Sequence, residues 1–148
     1  MTGSQKTMAI HDMFRAFADP TRLRLLNLVA GREVCVCYFV EILRLSQPKI
    51  SRHLAYLRRA GVVAARREGK WMHYRLAIPR DRVAAVILRE TLKHLRDAPE
   101  MRQDVARLNL ACCSPEKYEV PPGAPLPGRM PGLLRSDANR LRSGRCCL

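Results

Sequence analysis

VCVCYFVEILRLSQPKISRHLAYLRRAGVVAARREGKWMHYRL, residues Val34–Leu76, decides how this chain is read. Its middle is a helix. Ile50, Leu54 and Leu57 fall at spacings of four and three, the buried stripe of an amphipathic helix. Ser46 stands where a cap is needed, Pro48 lies in the first turn, and Gly61 stops the helix. Just before it, a short helix over about 36–43 turns Phe39 and Ile42 inward, and Arg44-Leu45-Ser46 makes the turn. After it, Val62–Arg67 and Trp71–Leu76 read as two strands joined around Glu68-Gly69-Lys70. Two helices across a tight turn, followed by a basic hairpin, predict a winged helix-turn-helix.

Working outward, 7–18 reads as an amphipathic helix carrying Ile10, Phe14 and Phe17. Asp19 caps a second helix with Pro20 at its first position, where a missing N–H costs nothing, and this helix ends at Gly31. Downstream, 80–96 is a long helix with Val83, Ile87, Leu88, Leu92 and Leu95 on its apolar stripe. Pro99 interrupts it, and Asp97 with Glu100 are placed to cap a further helix to about Leu110. Prolines crowd the stretch from Pro115 to Pro131. The expected organisation is one mainly α domain with a small β-hairpin wing over 7–111, and a Pro/Arg-rich disordered tail over 114–148.

The chain of 148 residues carries 27 Lys and Arg against 13 acidic residues, a net charge of +14. Such an excess points to an anionic partner, nucleic acid first. It is concentrated where the motif lies: from Arg44 to Arg75 there are nine basic residues and one acid, Glu68. The exposed N-terminal end of a reading helix meets base edges in the major groove. Here that end offers Ser46, Gln47, Lys49, Ser51, Arg52 and His53. Gln47 and Arg52 suit bases, while Lys49 and Ser51 suit phosphates. Arg66, Arg67 and Lys70 of the wing suit the flanking backbone or minor groove. MTGSQKTMAI has no signal-peptide core, and no apolar run nears the roughly 20 residues of a membrane span. The expected location is the cytoplasm, where six cysteines are ligands or redox thiols before they are a disulfide framework.

AFADPTRLRLLNLV (Ala16–Val29), VCVC (Val34–Cys37) and SQPKISRHLAYLRRAGVVAARREGKWMHYRL (Ser46–Leu76) together resemble the ArsR-type (arsenic repressor, ArsR/SmtB) family of winged-helix metalloregulators. The resemblance covers roughly 14–95. It implies a homodimer joined through the first and last helices, bound to a palindromic double-stranded operator, which it leaves when a metal or metalloid ion binds. In the family's arsenite box, ELCVCDLC, the Cys-x-Cys matches Cys35 and Cys37. Val40 stands in place of the third cysteine, and Tyr38 in place of the following Asp. The family's zinc site on the long helix falls on Asp81, Val83, His94 and Asp97 here. Val83 cannot coordinate, so no zinc site is expected on that helix.

Soft thiolates suit a soft, thiophilic centre, and the resemblance implies that the inducer is trivalent arsenic, as arsenite or methylarsenite. In an α-helix, residues two apart point about 200° away from each other. Cys35 and Cys37 therefore reach one ion only if their segment is extended, which predicts that the ligand distorts the start of that helix. Cys112 and Cys113 are the candidates for completing the site or for forming their own. Cys146 and Cys147 are expected to have no structural role. Two alternatives stay open within the regulator class: a thiol-redox switch, and a sensor of another soft metal such as cadmium, lead, bismuth or copper. A small thiol enzyme such as an arsenate reductase is the distant alternative, because the chain has no Cys-x-x-Cys and no phosphate-cradling glycine loop.

Overall fold

The computed structural model describes residues 3–129. Helices α1 (Gly3–Phe17) and α2 (Pro20–Leu28) lead into strand β1 (Arg32–Cys35) and helix α3 (Val36–Leu43). Helix α4 (Gln47–Arg59), strands β2 (Val63–Glu68) and β3 (Trp71–Leu76), and helices α5 (Arg82–Asp97) and α6 (Pro99–Cys113) follow. A 3-10 turn over Pro115–Lys117 and a two-residue strand β4 (Gly128–Arg129) complete the described chain. The fold is a winged helix-turn-helix.

Each boundary has a local cause. Asp19 caps α2 by accepting a 2.9 Å hydrogen bond from the Arg22 N–H. Arg44 ends α3 in the left-handed region, at φ 53°, and turns the chain toward α4. Ser46 holds the cap position of α4 but makes no capping hydrogen bond with its side chain. At the far end, Gly61 has φ +77°. Its N–H reaches Arg58 O while the Val62 N–H reaches Leu57 O, the paired bonds of a Schellman stop. A two-residue loop closes the wing, with Gly69 at φ +57°, the backbone sign that a tight hairpin demands. Asp81 caps α5 through the Ala84 N–H; at α6 the cap position falls on Ala98, so the expected capping by Asp97 and Glu100 does not occur.

The sheet is antiparallel throughout, in the order β2-β3-β1-β4. Tyr38, Phe39, Leu25, Leu26, Ile50, Leu54, Leu57 and Leu88 fill the core, with Val34 and Cys35 of β1 among them. The seam between α2 and α6 is partly polar. Arg24 makes a bidentate pair with Asp104, at 2.7 and 2.8 Å, and the buried Asn27 amide donates to Met101 O.

Three expectations are corrected. Helix α1 starts at Gly3 rather than at residue 7; among its described side chains Met13 and Ala16 are buried and Ile10 and Phe17 pack against the core, while Phe14 is 53% exposed. On α5 the stripe rotates onto Ala84, Ala85, Leu88, Leu92 and Leu95, and Val83 faces outward. The segment after residue 114 is not a disordered tail as far as Arg129. Tyr118, Val120 and Ala124 pack on the core, and β4 pairs with β1 (Glu33 opposite Gly128). Proline tolerates such a path because a strap needs few ladder hydrogen bonds. Residues 130–148, with Cys146 and Cys147, lie outside the described part.

Candidate DNA interface and thiol site

Helix α4 sets Ser46, Gln47, Lys49 and Arg52 on its exposed surface, with Ser51 half-buried. Ile50, Leu54 and Leu57 fasten the helix to the core beneath them. His53 differs from this group: its Nδ1 lies 3.7 Å from Asp19 Oδ1, at the cap of α2.

The wing residues Arg66, Arg67 and Lys70 are all exposed, with the Arg67 Nε donating to Gly69 O and the Lys70 ammonium 4.9 Å from the Trp71 ring centre. Arg66 is already engaged by two carboxylates. Its Nε donates to Glu33 and its Nη1 to Glu68, and this pairing raises its own pKa and lowers that of Glu68. His73 lies buried beside this group, its Nε2 3.2 Å from Glu68 Oε2. The sequence offered no signal for this network, because β1, which carries Glu33, was not foreseen.

That strand also changes the thiol geometry. Cys35 is both the last residue of β1 and the N-cap of α3, with extended backbone (φ −70°, ψ 144°), and Cys37 lies in the first helical turn. The strand-to-helix junction brings the two sulfurs within 3.2 Å, with the Cys37 thiol donating to Cys35. The expected distortion of the helix is therefore unnecessary: one of the two residues is not in the helix. The Cys37 thiol, with backbone N–H groups of Cys37, Val36 and Met72, favours the Cys35 thiolate. Against the opposing effect of burial, this brings the Cys35 pKa down to about 7. Cys37 is pushed up, since donating to Cys35 holds its proton. The pair is a buried, readily ionised thiol beside a half-buried one at a helix N-terminus, the setting that activates cysteine as a nucleophile or ligand.

Cys112 and Cys113 end α6, both half-buried. Helix α6 packs against α3, which carries the buried Tyr38. Its hydroxyl is pushed up to about 12, first by burial and then by charge on Cys112, Cys37 and Cys35. Among the described residues, no three His, Cys, Asp or Glu side chains converge as a metal cluster. The Cys35–Cys37 pair is the assembled part. Val40 lies on α3 three residues beyond Cys37, half-buried against the core.

Comparison with known proteins sets this site in a family. Residues 19–65 match the model of the arsR family of bacterial regulatory proteins. An uncharacterised helix-turn-helix transcriptional regulator of Methanocaldococcus jannaschii is 47% identical over 77 residues, covering 51% of this chain and 84% of that protein. The chain belongs to the arsR family. An arsenic resistance transcriptional regulator of Pseudomonas putida is 54% identical over 65 residues, 43% of this chain. The arsenical resistance operon repressor of Escherichia coli is 50% identical over 66 residues, 44% of this chain. The chain spans only about half the length of these two relatives, 51% and 56%. Among solved structures, HlyU from Vibrio cholerae superposes with a TM-score of 0.52 at 27% identity, covering 60% of this chain and 94% of that one. A homodimeric winged helix-turn-helix domain from Mycobacterium bovis gives 0.50 at 26%, covering 67% and 94%. The relatives named here are regulators, not enzymes, and no described helix is long and apolar enough to cross a membrane.

Proposed function

We propose that this protein is a dimeric repressor that binds operator DNA and lets go when its thiolates take up trivalent arsenic. The observation that carries this reading is the 3.2 Å separation of the Cys35 and Cys37 sulfurs at the β1–α3 junction, one short helix before α4. With a metal–sulfur bond of about 2.3 Å, two sulfurs so spaced subtend roughly 90° at the ion. Both thiols can therefore enter one coordination sphere, and thiolates suit a soft, thiophilic centre. The relatives from Pseudomonas putida and Escherichia coli, both named for arsenic resistance, support the same inducer. Others are named for mercury resistance, or as an SmtB homologue, so ligand identity rests on the site.

DNA is met by Ser46, Gln47, Lys49, Ser51 and Arg52 at the start of α4, and by Arg67 and Lys70 of the wing. His53 and Arg66 act from behind, through Asp19 and through Glu33 and Glu68. The exposed Phe14 of α1 and Val83 and Val86 of α5 supply an apolar surface for the second copy. Cys112 and Cys113, at the end of a helix packed against α3, are the other described cysteines and the candidates for supplying a third sulfur. Ligand at the head of α3 favours a conformation with weak DNA affinity, and by linkage DNA weakens ligand binding by the same factor.

Thiol counting tests the chemistry. Arsenite or methylarsenite added to reduced protein should protect Cys35 and Cys37 from alkylation, read by peptide mass spectrometry, while zinc leaves them reactive. Protection confined to Cys112 and Cys113 would move the site away from α3. The same 3.2 Å contact favours one second reading, a disulfide switch. In that case peroxide, without arsenic, would link Cys35 to Cys37 and release DNA.

A further inference from the structure

Helices α1, α2 and α4 meet around one arginine. Arg22 sends its Nε to Ala16 O (2.7 Å) and its Nη2 to Arg15 O (2.9 Å), closing carbonyls that the end of α1 leaves open. Its guanidinium lies over the Tyr56 ring of α4, 4.2 Å from the centre, and its Nη1 is 3.8 Å from Asp19 Oδ2. Asp19 in turn caps α2 and faces His53 of α4. His53 and Tyr56 are three residues apart and therefore on one flank of α4.

We infer that Asp19, Arg22, His53 and Tyr56 form a joint that fixes the angle of the reading helix on the first helix, making His53 and Tyr56 positioning residues for operator half-site spacing. The inference rests on the dimeric DNA-binding reading above. In a two-fold dimer joined partly through α1, the distance between the two α4 helices depends on how α4 sits on α1. Half-sites one turn apart must match that distance, about 34–36 Å. A 13-residue helix is about 20 Å long, so a tilt of roughly 10° moves its far end about 3.4 Å, one base-pair step. Small looseness in the joint therefore becomes a whole register error on DNA.

The two contacts are unequal. His53 and Asp19 are each more than a quarter exposed and 3.7 Å apart, so this pair is weak alone. Arg22 is only 14% exposed, which keeps its contact with the Tyr56 ring largely out of water, where a cation over an aromatic face holds best. Tyr56 should dominate, and the aromatic face rather than its hydroxyl should matter.

The test uses the full chain with its own upstream DNA, and with that DNA lengthened or shortened by one base pair between half-sites. Affinity is measured over a salt series. Tyr56→Leu should lose about three- to thirtyfold on the natural spacing, the range of a lost cation–π contact. It should also discriminate less among the three spacings, and Tyr56→Phe should retain both properties. The slope of log K against log salt should stay as in wild type for Tyr56→Leu and His53→Gln, because neither side chain meets a phosphate. Tyr56→Leu with unchanged affinity and spacing preference would overturn the joint. So would a slope reduced by about one in His53→Gln, the mark of a phosphate contact. If wild type binds no DNA, the functional reading fails, and the joint is judged in the free protein. Faster amide exchange in α4 and the last turn of α1 for Tyr56→Leu than for Tyr56→Phe supports it, and equal exchange overturns it.

Discussion

Breaking the Arg24–Asp104 pair should have very different consequences depending on which partner is removed. The Asp104 side chain is 1% exposed, while Arg24 is 20% exposed and has a second carboxylate, Glu100, at 3.6 Å. Arg24→Ala leaves a buried carboxylate with its charge uncompensated, which costs about 3–5 kcal/mol. Asp104→Ala leaves a guanidinium that still reaches water and Glu100, and should cost about 1–2 kcal/mol, mainly two charge-assisted hydrogen bonds. For a chain of this size each kcal/mol moves the melting temperature by about 2–4 °C. Arg24→Ala should therefore melt roughly 10 °C below wild type, and Asp104→Ala only a few degrees below. The double variant should resemble Asp104→Ala, since the stranded charge is gone. Urea denaturation followed by circular dichroism, at one fixed protein concentration, reads all three. Equal losses for the two single variants would refute the reasoning, for they would mean that Asp104 is not isolated from water when Arg24 is absent. The pair docks α6, the helix that ends in Cys112 and Cys113, onto α2.

Other predictions concern the thiols, the turns and the DNA face. Cys35 is held below the ordinary thiol range, so its contribution to stability is complete above about pH 9 and is lost as pH falls through about 7. Cys37→Ala removes the largest cause, and should flatten the rise in stability between pH 7 and 9 and move Cys35 alkylation to higher pH. Gly61→Ala puts a side chain on a left-handed residue and should cost about 1–2 kcal/mol, whereas Arg44→Gly relieves the same strain at φ 53° and should stabilise by up to about 1 kcal/mol in thermal melts. Arg52→Ala should lower operator affinity and relax base preference, Lys49→Ala should reduce the salt slope by about one, and Arg66→Ala, whose guanidinium already serves Glu33 and Glu68, should leave the slope as it is.

The parts governed by local pattern were legible in the sequence. The stripe Ile50, Leu54 and Leu57, the stop at Gly61 and the turn at Gly69 all sit where the residues dictate, and β2 and β3 fall within one residue of the hairpin expected. Strand β1 was not legible. Four residues, Arg-Glu-Val-Cys, carry little periodicity, and it is pairing with β3, Val34 opposite Tyr74, that makes them a strand. The largest error about the site followed from this. The helix expected over about 36–43 left Cys35 outside it, but without β1 the pair was judged by helical geometry, in which the thiols point apart, whereas a strand ending at Cys35 brings them together. Phe14 and Val83 read as core because they are apolar at helical spacing, and spacing does not distinguish an inner face from one left open. The strap over 115–129 was hidden by its prolines, although Tyr118 and Val120 supply the apolar grip that holds it.

On the proposed reading, the Cys35–Cys37 pair governs release from DNA. The measurement that tests it most directly follows the anisotropy of labelled upstream DNA bound by reduced protein, titrated with arsenite, methylarsenite, zinc and cadmium. Wild type, Cys35→Ser and Cys37→Ser are compared. All three should bind DNA with equal affinity before ligand is added, the arsenicals should release wild type, and neither variant should be released. Release of the serine variants at the same arsenical concentration as wild type would contradict it, as would tight binding by wild type that no arsenical disturbs.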